Sequence, residues 1–229
     1  MLRRLLGLVA LAMVGAPTVF SGVLARGADT PDWPLLFSDD FEKGADRWQP
    51  TDPLAWKIAS TDRGRVYSQF QQSKYAPPHR SPHNIALVKD LVVGDFLLTV
   101  KAQSTCRDYG HQDLCLFFGY QDPAHFYYVH LGKKADPNSN QIMIVNGAPR
   151  KMITAKGTPG TPWDKGWHEV KIVRRVQDGA IEVYFDDMQA PAMTAVDRTF
   201  THGRVGLGSF DDTGNWDDFK LYGVEVKAR

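Results

Sequence analysis

The chain has 229 residues with 27 basic and 26 acidic side chains, a formal net charge of +1. Removing a leader leaves about 200 residues, a length that suits one domain with a substantial core. There is no basic run, so nothing predicts an electrostatic grip on nucleic acid or on anionic lipid. Only Glu42, Glu169, Glu182 and Glu225 are glutamates; the other acids are aspartates, which favour turns and caps, so long helices are not expected.

The chain begins MLRRLLGLVALAMVGA, with basic residues at Arg3 and Arg4 followed by an apolar run. That is the anatomy of a secretory signal peptide, placed at 1–27, with the domain at 28–229. Pro17 and Ser21 interrupt the run before it reaches the roughly 20 residues a spanning helix needs, so no membrane partner is expected after cleavage. The expected location is periplasmic or extracellular.

Beyond residue 35 the hydrophobic period is mostly two. Phe96, Leu98, Val100 and Ala102 share a face, as a half-buried strand requires. Further strands are predicted from Leu114 to Tyr120, Phe126 to Leu131, Gln141 to Val145 and Val170 to Arg175, and again from Ile181 to Phe185, Val205 to Ser209 and Phe219 to Val226. Turn dipeptides separate them, and Asp178-Gly179 between two alternating runs is the clearest hairpin signal. Residues 77–83, three of them prolines, are predicted to form an extended loop, and residues 157–162 another. Many short strands without an amphipathic helix predict an all-β, antiparallel two-sheet sandwich of jelly-roll type.

The only cysteines, Cys106 and Cys115, flank the turn-like residues 108–111. In an exported chain they either clip a hairpin with a disulfide or stand as two buried free thiols. Two cysteines at this spacing match no common four-ligand zinc pattern.

Trp56-Lys57-Ile58, Trp167-His168-Glu169-Val170-Lys171-Ile172, Glu182-Val183-Tyr184-Phe185-Asp186-Asp187 and the glycine-rich residues 203–208 resemble the concanavalin A-like lectin/glucanase superfamily. More narrowly, they resemble laminin G-like modules and 3-keto-disaccharide hydrolase-type domains. The resemblance implies a fold that hosts lectins, binding modules, hydrolases and lyases. The Glu-x-Asp-x-x-Glu strand of family-16 glycosidases is absent, so that double-carboxylate chemistry is not expected.

Four acidic doublets punctuate the chain. Asp186-Asp187 reads as a turn and Asp211-Asp212 as a loop that can rim a ligand site. Asp39-Asp40 and Asp217-Asp218 flank the first and last strands, which lie side by side in such sandwiches. The resemblance implies a structural calcium there, with Asp40, Glu42 and Asp217 as ligands; the alternative is solvated acids at strand ends.

Along residues 125–131, Tyr128 and His130 alternate with Tyr127, Val129 and Leu131. That presents a phenol and an imidazole on one side, a surface on which a sugar ring can stack and hydrogen-bond. Tyr109, His111, Gln141 and Arg150 are expected around the same cleft. Three functions follow: a carbohydrate-binding domain, a 3-keto-disaccharide hydrolase-type glycosidase, or a laminin G-like protein-interaction module. For the enzyme, the resemblance implies proton abstraction and elimination, with His130 or His111 as the base.

Overall fold

The structure, a computed structural model, describes residues 32–227. The expected signal peptide, 1–27, lies outside the described residues. Sixteen strands run in chain order: β1 (Leu35–Asp39), β2 (Trp48–Pro50), β3 (Trp56–Thr61), β4 (Gly64–Gln69), β5 (Asn84–Val88), β6 (Val93–Ser104), β7 (Asp113–Asp122) and β8 (His125–Gly132). They continue as β9 (Gln141–Asn146), β10 (Lys151–Met152), β11 (Thr154–Gly157), β12 (His168–Arg174), β13 (Ala180–Phe185), β14 (Met193–Val196), β15 (Arg204–Ser209) and β16 (Gly214–Glu225). Among the described residues the helical content is one 3-10 turn, Pro53–Ala55, and no helix is long and apolar enough to cross a membrane.

The first sheet has the order β11-β14-β13-β12-β6-β16-β4-β3, with β1 also paired to β16; the second has the order β10-β9-β8-β7-β15-β5-β2. All pairings are antiparallel. The architecture is the all-β jelly-roll sandwich that the period-two pattern predicts. The hairpin at Asp178-Gly179 joins β12 to β13, and Gly179 takes the positive φ of 79° that such a turn needs.

The first and last strands meet, with Asp39 opposite Phe219 in the β1–β16 ladder. Strand β16 is bent by a register shift between Asp217 and Lys220, where Asp218 has φ 49°. Its first half pairs with β4 and its second with β1, so one strand serves two neighbours on the same side.

Between the sheets lies the main core. Phe96, Leu98, Val100 and Ala102 of β6 face Leu116, Phe118 and Leu131 of the second sheet, and the rings of Phe96 and Phe118 meet edge to face at 5.8 Å. On the outer face of the first sheet, charges pair in water: Lys101 with Glu169 at 2.9 Å and Arg175 with Glu182 at 2.8 Å.

The second sheet is covered on both sides. Its outer face carries a separate apolar cluster of Ile85, Leu87, Phe117, Phe126, Tyr128 and Met143, closed by Tyr75 and Phe210. Residues 70–83, extended as their prolines require, lie across this face. The Arg150 amide donates to the Arg80 carbonyl at 3.0 Å and the His83 amide to that of Phe210 at 3.0 Å. The Ser73 amide donates to the Asn84 side chain at 2.7 Å.

The disulfide alternative is corrected: both thiols are free. Residues 105–112 are not a hairpin turn but the crossing from β6 in the first sheet to β7 in the second. Cys106 therefore ends beside Ser104, Sγ to Oγ 3.4 Å, whereas Cys115 is sealed in the outer cluster with its thiol donating to Asp113 Oδ2 at 3.3 Å.

Candidate functional site

Ladder register brings the expected ligand residues to one end of the outer face of the second sheet. Cys115 of β7 stands opposite His130 of β8, and Tyr128 and His130 stand opposite Met143 and Gln141 of β9. Residues two apart on a strand and their cross-strand partners share a face, which groups Asp113, Cys115, Tyr128, His130 and Gln141. Arg150 reaches in from the loop after β9 and donates from Nη1 to the Tyr128 hydroxyl at 3.0 Å. Its guanidinium carbon lies 4.1 Å from the centre of the Phe210 ring.

Tyr109 joins from the β6–β7 crossing, its hydroxyl donating to both oxygens of Asp212 at 2.8 and 2.9 Å. The Asp113 amide donates to the same Asp212 carboxylate at 2.8 Å. His111, largely exposed, pairs through Nε2 with Asp136 at 3.0 Å. The alternation on β8 was read correctly, but the side on which a sugar ring was expected to stack is covered. Tyr128 is 0% exposed and His130 4%, because Phe210 and residues 70–83 lie over that face. The open part of the arrangement is its rim: His111 and Asp211 are exposed, and Tyr109, Gln141, Arg150 and Phe210 are half-buried.

Burial dominates the electrostatics beneath this rim. It pushes the Asp113 carboxyl up to about 8 although the Phe210 amide donates to Oδ2 at 2.8 Å. The His130 imidazole is pulled down to about 3, first by burial and then by the Arg150 charge. Asp212 is also held above the ordinary carboxylate range by burial. A fully buried carboxyl and imidazole with Nε2 and Oδ2 3.7 Å apart are close enough to interact but too far apart to hydrogen-bond. Asp113 Oδ1 and Arg150 Nε are buried with no hydrogen-bond partner among the described residues.

Two groups of potential metal ligands share Asp113. Asp113, Cys115 and His130 form one, and Asp113, Asp211 and Asp212 the other; in each, the ligand atoms lie within 4.8 Å of one another. Sequence reasoning placed Asp211-Asp212 at a rim but did not place Cys115 or Phe210 there. The signal for Cys115 was available, since it stands two residues from Asp113 on a strand adjacent to His130.

The acids expected to hold calcium, Asp40, Glu42 and Asp217, stand apart from these two groups. Arginines and amides already satisfy these acids: Arg63 Nε donates to Asp217 at 2.9 Å, and the Arg65 amide donates to Glu42 Oε1 at 2.8 Å. Asp40 folds back on the Glu42 amide at 3.2 Å. A cleft of about 570 Å³ does open there, and Asp39, Asp40, Asp46 and Asp218 line it together with Lys43, Arg47 and Lys220. A second cleft, about 340 Å³, lies beside β9 and β10 between Ile144, Pro149 and Asp197.

No protein-family model matches the sequence, and no curated protein matches it. Solved structures match the fold. The carbohydrate-binding module CBM66 from Bacillus subtilis aligns with TM-score 0.55 and 17% identity, over 77% of this chain and 96% of that one. The cellulose-induced protein Cip1 aligns with TM-score 0.54 and 15% identity, over 84% and 100%. Winged bean acidic lectin, complexed with methyl-α-D-galactose, aligns with TM-score 0.51 and 12% identity, over 83% and 98%. The chain thus has the concanavalin A-like lectin/glucanase fold. At these identities the likeness establishes architecture and leaves activity to the site.

Proposed function

We propose that the chain is an exported carbohydrate-recognising domain that meets its glycan at the rim formed by Tyr109, His111, Gln141, Arg150, Phe210 and Asp211. The observation that carries this reading is the convergence at one sheet end of donors, acceptors and aromatic edges from four separate segments. Sugar hydroxyls both donate and accept, so a mixed rim of this kind suits them. Beneath it, the contacts of Arg150 with Tyr128 and Phe210 fix a guanidinium in place before any ligand arrives. The solved neighbours, two of them carbohydrate-binding by their names, support the same reading.

Binding is favoured over catalysis because His130, the leading base, is sealed under Phe210, and an imidazole this weakly basic abstracts protons poorly. The other expected base, His111, is turned to Asp136 at the surface. No contact in the structure favours the 3-keto-disaccharide hydrolase-type reading or the laminin G-like one.

A glycan array probed with the purified full chain tests the proposal. Retention on a defined set of glycans, weakened about tenfold or more by Arg150→Ala, is expected, because a charge-assisted hydrogen bond contributes about 1.5–3 kcal/mol. Folded protein that binds no glycan contradicts the reading. Release of a monosaccharide from a 3-keto disaccharide would instead establish the enzyme, and capture of a protein partner without any glycan the interaction module.

A further inference from the structure

We propose that Asp113, Cys115 and His130 form a buried site for a zinc-class divalent cation. The three donors come from one two-stranded ladder: Asp113 and Cys115 lie two apart on β7, and His130 is the direct partner of Cys115 on β8. A carboxylate oxygen, a thiolate sulfur and an imidazole nitrogen are the donor set that zinc and its borderline-soft neighbours select.

The spacing fits a tetrahedral ion. Metal–donor distances of about 2.0–2.3 Å place donors about 3.3–3.8 Å apart around such a centre. Cys115 Sγ stands 3.3 Å from Asp113 Oδ2, and His130 Nε2 stands 3.7 Å from the same oxygen. The second of these distances is too long for a hydrogen bond yet falls within the ligand–ligand range.

The second oxygen of that carboxylate supplies an independent observation. Asp113 is 1% exposed, and its Oδ1 has no partner among the described residues. A buried carboxyl oxygen left without a partner is costly, and a cation is a partner that removes the cost. One divalent ion against a carboxylate, a thiolate and a neutral imidazole also leaves the buried cluster without net charge. A water, which adds no charge, would complete four ligands.

Coordination through His130 Nε2 requires the ring proton on Nδ1, which now receives the Asn140 amide at a long 3.4 Å. The Ser139 hydroxyl is buried, unpartnered and adjacent. A Cβ at Gly132 would lie 1.9 Å from Ser139 Oγ and 3.1 Å from His130 Nδ1, so the two border one point. A shift of that hydroxyl to within hydrogen-bond reach would let it accept from the Nδ1–H of a metal-bound imidazole.

The test uses the full chain, stripped with a chelator and loaded with Co²⁺ or Zn²⁺ alone. One equivalent of Co²⁺ should bind with a thiolate-to-cobalt charge-transfer band in the near ultraviolet, and Zn²⁺ should displace it and raise Tm. Cys115→Ser should abolish the band and weaken Zn²⁺ by at least about tenfold, since even outer partners of a metal ligand contribute that much. Asp113→Asn should weaken it similarly, which keeps the test decisive if circular dichroism shows the serine variant unfolded. Cys106→Ser should leave the band intact. Absence of the band in the unsubstituted chain, its survival in Cys115→Ser, or its loss in Cys106→Ser overturns the proposal. No sugar enters the readout, so the outcome is separate from that of the glycan array.

Discussion

The hydroxyl of Tyr127 donates to the Asp197 carboxylate and accepts the Phe200 amide at 2.9 Å, so one oxygen at the rim of the core fixes the loop between β14 and β15. Burial works against the ionised form of Asp197, but hydrogen bonds from Tyr127 and Thr199 prevail and hold its carboxyl below the usual range. A carboxyl whose folded pKa is lowered stabilises the fold above its unfolded pKa of about 4 and loses that contribution as the pH falls through the folded value. Tyr127→Phe keeps the ring packing but leaves the Phe200 amide and Asp197 short of a partner. Urea unfolding at pH 7 should show a loss of about 1–3 kcal/mol, and the gap to the unsubstituted chain should narrow at pH 3. An equal gap at both pH values would show that the ionised Asp197 plays no part.

At the level of the strand, β15 depends on its glycines. A Cβ on Gly206 would lie 2.4 Å from the Ala86 carbonyl, and one on Gly208 1.9 Å from that of Asn84, because β15 is pressed against β5. Gly206→Val should therefore cost more than about 4 kcal/mol or prevent folding, as a cooperative melt will show; a loss below about 1 kcal/mol would mean the strands can part. The strands themselves were legible from alternation, since β6, β12 and β13 bury every second residue. Alternation also put Tyr128 and His130 on the correct side of β8. It could not show that this side is roofed, because β7 and β8 are buried on both faces and the roof comes from residues 70–83, distant in sequence. The acidic doublets were harder for the same reason. Asp39 satisfies the Phe41 amide and the Trp48 indole nearby, at 3.0 Å each, but the cation for Asp217 is Arg63, more than 150 residues away. Local turn chemistry is written in short words; long-range charge pairing is not.

The described residues form a sandwich with a third apolar layer. The first sheet shows charged side chains to water, while the second is packed against the first on one face and against residues 70–83 and Phe210 on the other. That third layer closes the middle of the face and leaves polar groups at one end, where Arg150, Phe210 and Tyr109 meet solvent. Jelly-roll architecture is thereby combined with a proposed ligand surface confined to a rim. Isothermal titration calorimetry with the glycan best retained on the array, comparing the unsubstituted chain with Phe210→Ala, tests this most directly. Affinity reduced about tenfold or more in the variant, with an unchanged circular dichroism spectrum, is the predicted result, because an aromatic anchor and the Arg150 stacked on it are lost together. Undiminished affinity in a folded variant would place the glycan elsewhere on the molecule and contradict the account.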